Sequence, residues 1–199
     1  KGTTPISELL MNIKYVMVRE DTYQSYTKVK EKEFVNYYQN PYAVSMGFMV
    51  KDTLNEDFQV ENPIMFQQQV LNQMWGKEDI NYFKPITPYT IAKENVDQVE
   101  RQEIVSEEKT DELAIYYKKD DYKDAQLSYL LKTELAGPCY LYVDQRTYGN
   151  MQIIVNEDKI IDPEFTHGNR VFYLGDFKQG EEVKVTFKFL QKEFAIKDI

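Results

Sequence analysis

The sequence predicts an α+β fold, mostly β, and three observations predict it. The second half reads as strand after strand, each short and bounded by turn residues. Tyr and Phe, which favour half-buried pleated surfaces, number 16 and 11. One long stretch, residues 62–76, carries a complete set of helix start and stop signals.

In chain order, Thr4-Pro5-Ile6-Ser7-Glu8 opens a short helix, with Thr4 as cap, Pro5 at the first position and Glu8 in the first turn. Ile13–Val18 reads as a strand. Residues 26–32 and 34–38 read as a hairpin around a charged turn, Asn40-Pro41 as a turn and Met46–Val50 as another short strand. Asn62 caps the long helix, Pro63 sits at its first position and Gly76 fits its C′ site. Phe66, Val70 and Met74, with Leu71 and Trp75, follow i, i+4 spacing, so they are expected to form one buried stripe that includes Trp75.

Beyond Pro85 and Pro88 the pattern changes. Residues 89–105 make one long or two short strands, and Leu113–Tyr117 another. Leu127–Leu135 and Tyr140–Val143 flank a turn at Gly137-Pro138. Met151–Val155 and Lys159–Ile161 form a hairpin through Asn156-Glu157-Asp158. Arg170–Leu174 leads through Gly175-Asp176 and Gly180 into Val183–Phe189. There Val183, Val185, Phe187 and Phe189 point one way and Lys184, Thr186 and Lys188 the other. The expected architecture is a mixed module, residues 1–87, packed on an antiparallel β-sandwich, residues 88–199.

Composition narrows the function. Hydrophobic residues make up 42% and charged residues 29%, an ordinary globular balance. The net charge of -9 disfavours nucleic acid, which needs concentrated Lys and Arg, and it also disfavours direct adhesion to anionic lipid. No apolar run approaches the roughly 20 residues of a membrane helix. The start at Lys1 has no initiator Met and no apolar leader, as expected of a piece cut from a longer protein.

No complete catalytic motif is present. The single His167 and single Cys139 share no motif, so neither a nucleophilic dyad nor a zinc site is expected. The eight glycines form no phosphate loop, and no cofactor is implied. Asp120-Asp121 and Asp111-Glu112 read as solvated turns without Ca²⁺-loop spacing. A glycosidase-like carboxylate pair depends on the fold and gives no spacing signal. Exposed aromatics are the remaining candidates, because sugar rings present apolar faces. Tyr140 and Tyr142 share strand parity, and Tyr148 lies beside Arg146 in a loop; these four are the expected ligand contacts.

Three phrases carry a family resemblance. Leu9-Leu10-Met11-Asn12-Ile13-Lys14-Tyr15-Val16, the stretch Tyr38–Val50 around Asn40-Pro41-Tyr42-Ala43, and Asn62-Pro63 through Val70-Leu71 stand in order over the first 90 or so residues. Together they resemble YfhO-family bacterial membrane proteins, with Val44-Ser45 replacing the usual Leu-Pro. The resemblance implies a polytopic membrane protein similar to glycosyltransferases that use lipid-linked sugars and decorate cell-envelope polymers such as lipoteichoic acid. It implies that the catalytic acid lies in an extracytoplasmic loop among membrane helices, outside this chain, so no catalytic residue transfers to it.

The expected role is a non-catalytic extracytoplasmic domain at the cell membrane. It would hold or orient an acceptor glycan or teichoic acid next to the protein's own membrane-embedded domain. The C-terminal sandwich would be jelly-roll or galactose-binding-like, an analogy that does not settle function. The alternatives are a protein-interaction or bracing module and, third, a free-standing glycoside hydrolase.

Overall fold

The structure is a computed structural model that describes residues 4–19, 23, 26–44, 49–50, 52, 62–77, 80–106, 109–143, 151–161 and 170–196. Among them are two helices and thirteen strands, and the strands of the three larger sheets pair antiparallel. The mostly-β, α+β class is therefore as expected. The chain divides into two compact units. The first comprises Lys1–Lys84 with Pro138–Tyr140 and Val171–Asp176; the second comprises Pro85–Gly137, Leu141–Arg170 and Phe177–Ile199. Two short pieces from the second half of the sequence thus belong to the first unit.

In the first unit, helix α1 (Pro5–Leu10) starts where its signals sit: the Thr4 hydroxyl accepts from the Ser7 amide, and the Ser7 hydroxyl oxygen accepts from the Thr4 amide. Strands β1 (Tyr15–Val18), β2 (Thr27–Lys32) and β3 (Val35–Gln39) form a three-stranded sheet in the order β1-β3-β2. Asn40 closes it. Its amide N–H donates to the Lys14 carbonyl at 2.9 Å, its side-chain amide to the Ile13 carbonyl at 2.9 Å, and its Oδ1 accepts from the Tyr42 amide at 2.9 Å. Of the strand expected at 46–50, residues 46–48 lie outside the described residues, and Met49 and Val50 belong to no strand.

Helix α2 (Pro63–Trp75) has the expected ends: the Asn62 side chain accepts from the Ile64 and Met65 amides, and Gly76 takes the left-handed conformation at φ 61°. Its buried face differs from the expected stripe. Gln67, Gln68, Leu71 and Met74 are buried, whereas Phe66 is exposed and Trp75 is 58% exposed. The reason lies in the glutamine amides. Gln67 Oε1 accepts from the Thr4 hydroxyl and its Nε2 donates to the Pro63 carbonyl at 2.9 Å; Gln68 donates to Asn81 Oδ1 at 3.1 Å and accepts from the Phe83 amide at 3.1 Å. Asn72 adds a bond to the Ile80 carbonyl at 3.1 Å. These polar fastenings turn the glutamine face inward and leave Trp75 outside.

The second unit is built on a five-stranded sheet in the order β10-β9-β12-β7-β4, from β4 (Thr90–Glu94), β7 (Ala125–Lys132), β9 (Met151–Val155), β10 (Lys159–Ile161) and β12 (Glu182–Phe189). The alternation read from 183–189 is observed. Val185, Phe187 and Phe189 lie opposite Tyr129, Leu127 and Ala125 on one side and Val155, Ile153 and Met151 on the other, all buried. On the opposite face the paired Ser128 and Thr186 are also buried and share a hydrogen bond of 2.8 Å. The β9–β10 hairpin forms as expected.

Strands β5 (Val96–Ser106), β6 (Lys109–Lys118) and β13 (Glu193–Ile196) form a separate sheet in the order β13-β6-β5. The long 89–105 run is two strands because Asn95 breaks it at φ 53°, a left-handed conformation that Asn tolerates. Its side chain donates to the Asp120 carbonyl at 2.8 Å and the Lys123 carbonyl at 3.2 Å, and accepts from the Asp120 amide at 2.9 Å. One residue thus ends β4, starts β5 and fastens the β6–β7 turn. Within that turn Asp120 pairs with Lys123 and Asp121 with Lys192, as befits solvated turn carboxylates.

Strands β8 (Gly137–Val143) and β11 (Arg170–Phe177) pair with each other. Gly137 and Pro138 start β8 and are not the expected turn, which falls at residues 134–136.

Two substitutions test these assignments by urea unfolding. Phe187→Ala empties a wholly buried site and is expected to cost about 3–5 kcal/mol. Asn95→Ala is expected to cost about 2–4 kcal/mol, from orphaned turn groups plus a left-handed alanine, and Asn95→Gly less because glycine accepts the backbone. Equal losses for Asn95→Ala and Asn95→Gly would contradict the backbone part of this account.

Candidate functional site

The expected contacts divide. Arg146 and Tyr148 lie outside the described residues, as does His167. Tyr140 and Tyr142 are both half-buried on β8, Tyr140 in the first unit and Tyr142 in the second. Around Tyr140 the first unit gathers residues that sequence spacing could not bring together. Its ring meets Phe83 edge-on with centroids 6.4 Å apart, and Tyr173 of β11 at a tilt with centroids 5.8 Å apart. The Tyr173 hydroxyl donates to the carboxylate of Asp176, which is exposed.

The rings are positioned through their backbones. Phe83 is held through its amide by Gln68 of α2. Tyr140 and Tyr173 lie on paired strands. The same unit carries a buried carboxylate, Glu8 on α1, which is 1% exposed. It accepts hydrogen bonds from the hydroxyls of Tyr23 and of Tyr26, the latter at 2.6 Å. The rings of Tyr23 and Tyr26 meet edge-on, and Tyr38 and Tyr42 extend the group. Glu8 and Tyr23 also act electrostatically on the Tyr140 phenol, so the two aromatic groups are neighbours.

These phenols resist ionisation. Burial, chiefly, and then electrostatic interaction with the neighbouring Tyr173, Asp176 and Glu8 push Tyr140 well above the usual tyrosine range. Burial and the hydrogen bond to Glu8 do the same for Tyr26, and burial and the bond to Asp176 for Tyr173. In the second unit burial and Tyr116 raise Tyr129. The hydroxyls are therefore hydrogen-bond donors at any physiological pH, not bases.

The arrangement can offer three half-buried rings and an exposed acceptor carboxylate. Cys139 is half-buried and adjacent on β8. Among the described residues no group of three or more His, Cys, Asp or Glu is placed to hold a metal ion. Among the same residues no helix is long and apolar enough to cross a membrane. The sequence signal for Tyr140 was its parity on an aromatic strand. Phe83, Tyr173 and Asp176 gave none, because strand pairing and the helix glutamine bring them in from distant parts of the chain.

The wider context of this acidic, strand-rich chain comes from comparison. A family model described as a bacterial membrane protein matches the whole chain, residues 1–199. The chain belongs to the YfhO family, as its three phrases led us to expect. No curated protein and no solved structure matches it.

The raised tyrosines set an alkaline limit. An unfolded chain ionises its phenols near pH 10, while Tyr26, Tyr129, Tyr140 and Tyr173 stay protonated when folded. Their contribution to stability is complete below about pH 10 and is lost as pH rises beyond it toward their folded values. Tyrosinate absorbance should thus rise in two phases, the second coincident with unfolding. A single reversible wave near pH 10 for all 16 tyrosines would contradict this.

Proposed function

We propose that this chain is a non-catalytic extracytoplasmic domain of a polytopic, glycosyltransferase-like membrane protein, and that it holds or orients an envelope glycan acceptor, of the lipoteichoic-acid type, for modification elsewhere in the protein. Membership of a bacterial membrane protein family supplies the membrane context. The observation that carries the glycan reading is the aromatic group around Tyr140. Phe83, Tyr140 and Tyr173 present half-buried rings beside the exposed Asp176 carboxylate. Sugars are recognised by this combination: C–H faces lie on rings, and hydroxyls donate to a fixed carboxylate.

A second reading, a bracing module seated on the protein's own membrane-embedded part, is favoured by helix α2, whose last residue, Trp75, is a large apolar side chain left 58% exposed. In the intact membrane protein a Trp75→Cys variant would then crosslink to the embedded part; free labelling by a soluble maleimide would contradict this reading.

Calorimetric titration of the 199-residue chain with cell-wall oligosaccharides and teichoic acid fragments tests the glycan reading. Binding is expected, weakened about tenfold by Tyr140→Ala. Asp176→Asn, at an exposed position and still able to accept from Tyr173, is expected to weaken it severalfold without loss of fold. A flat titration at millimolar ligand would sink the glycan reading.

A further inference from the structure

We infer that the open face of the β1-β3-β2 sheet rests on the surface of an anionic phospholipid bilayer. The inference is independent of the glycan reading, since it concerns other residues. The register fixes which side chains share this face. Tyr15 and Met17 of β1 lie opposite Gln39 and Tyr37 of β3, and Lys30 and Lys32 of β2 lie opposite Tyr37 and Val35. The reverse face carries the buried Asn36 and Tyr38.

The open face is bare where a soluble sheet would be polar. Tyr15 is 60% exposed and Met17 65% exposed, although they are neighbours two apart on one strand. At the β2–β3 turn Phe34 is 84% exposed. Tyrosine rings and an unbranched thioether suit the boundary between headgroups and acyl chains, with hydroxyls toward water.

Charge selects an anionic surface. The chain as a whole is at -9, yet the paired positions on this face include Lys30 and Lys32 and no acidic residue. Lys30 lies 6.0 Å from the centre of the Tyr37 ring, so cation and aromatic share one surface. The acidic Glu31 projects to the other face and is paired there with Lys28 at 3.1 Å. Lysines on an edge strand also discourage strand pairing, which accounts for β2 in isolation. It does not account for Tyr15 and Met17, which lie across the sheet on β1. A bilayer covers both, and the family is one of membrane proteins.

Co-sedimentation of the 199-residue chain with vesicles tests the inference. Binding is expected to mixed phosphatidylglycerol–phosphatidylcholine vesicles at low salt, to weaken at high salt, and to be much weaker on pure phosphatidylcholine. Lys30→Ala with Lys32→Ala should weaken it about tenfold to thirtyfold. Tyr15→Ser with Met17→Ser should weaken it by a comparable factor while leaving unfolding by urea nearly unchanged, since both residues are exposed. Tyr140→Ala should leave vesicle binding intact, so failure of the glycan reading and failure of this one are separable. No sedimentation with any vesicle, or sedimentation unaffected by both pairs of substitutions, overturns the inference.

Discussion

The first unit depends on one buried carboxylate. Glu8 is almost wholly shielded from water, and an unpaired charge there would cost several kcal/mol. The Tyr23 and Tyr26 hydroxyls stabilise it from one stretch of chain, while α1, capped by Thr4, presents it from another. Thr4 in turn is bonded to Gln67 of α2, and Gln68 holds Phe83. A short helix of six residues has little stability of its own, so these buried polar bonds must supply what length does not. The ring group around Tyr140 is assembled in the same unit, and its phenol feels the Glu8 charge.

The second unit rests on a different constraint. Its five-stranded sheet buries a continuous row of Val, Phe, Ile, Leu and Met side chains, matched across three strands by register. There a one-residue slip would turn the whole row outward, so register and core determine one another. Asn95 then redirects the chain into the next sheet at the cost of one left-handed residue, which three side-chain hydrogen bonds offset.

What could be read from the sequence follows this contrast. The alternation at 183–189, the capped α2 and the Thr4-Pro5 start were legible because each is a local pattern with a local cause. The buried face of α2 was not. Apolar spacing pointed to Phe66 and Trp75, but two glutamines with distant partners outcompeted them. Tyr140 was legible as a candidate, whereas Phe83, Tyr173 and Asp176 were not, because only strand pairing and the α2 fastening bring them to it. Membership of the YfhO family was legible from phrases whose physical content is caps and turns: Asn40 ties the end of β3 to the Ile13–Lys14 backbone, and Asn62 caps α2.

Glu8 is the fastening of the first unit, and a double-mutant cycle between Glu8→Gln and Tyr26→Phe measures that role most directly. A hydrogen bond from a phenol to a buried carboxylate predicts a coupling free energy of about 1.5–3 kcal/mol in urea unfolding. A coupling within about 0.3 kcal/mol of zero would contradict the account, leaving the carboxylate without the tyrosine partnership on which the rest of the unit is argued to depend.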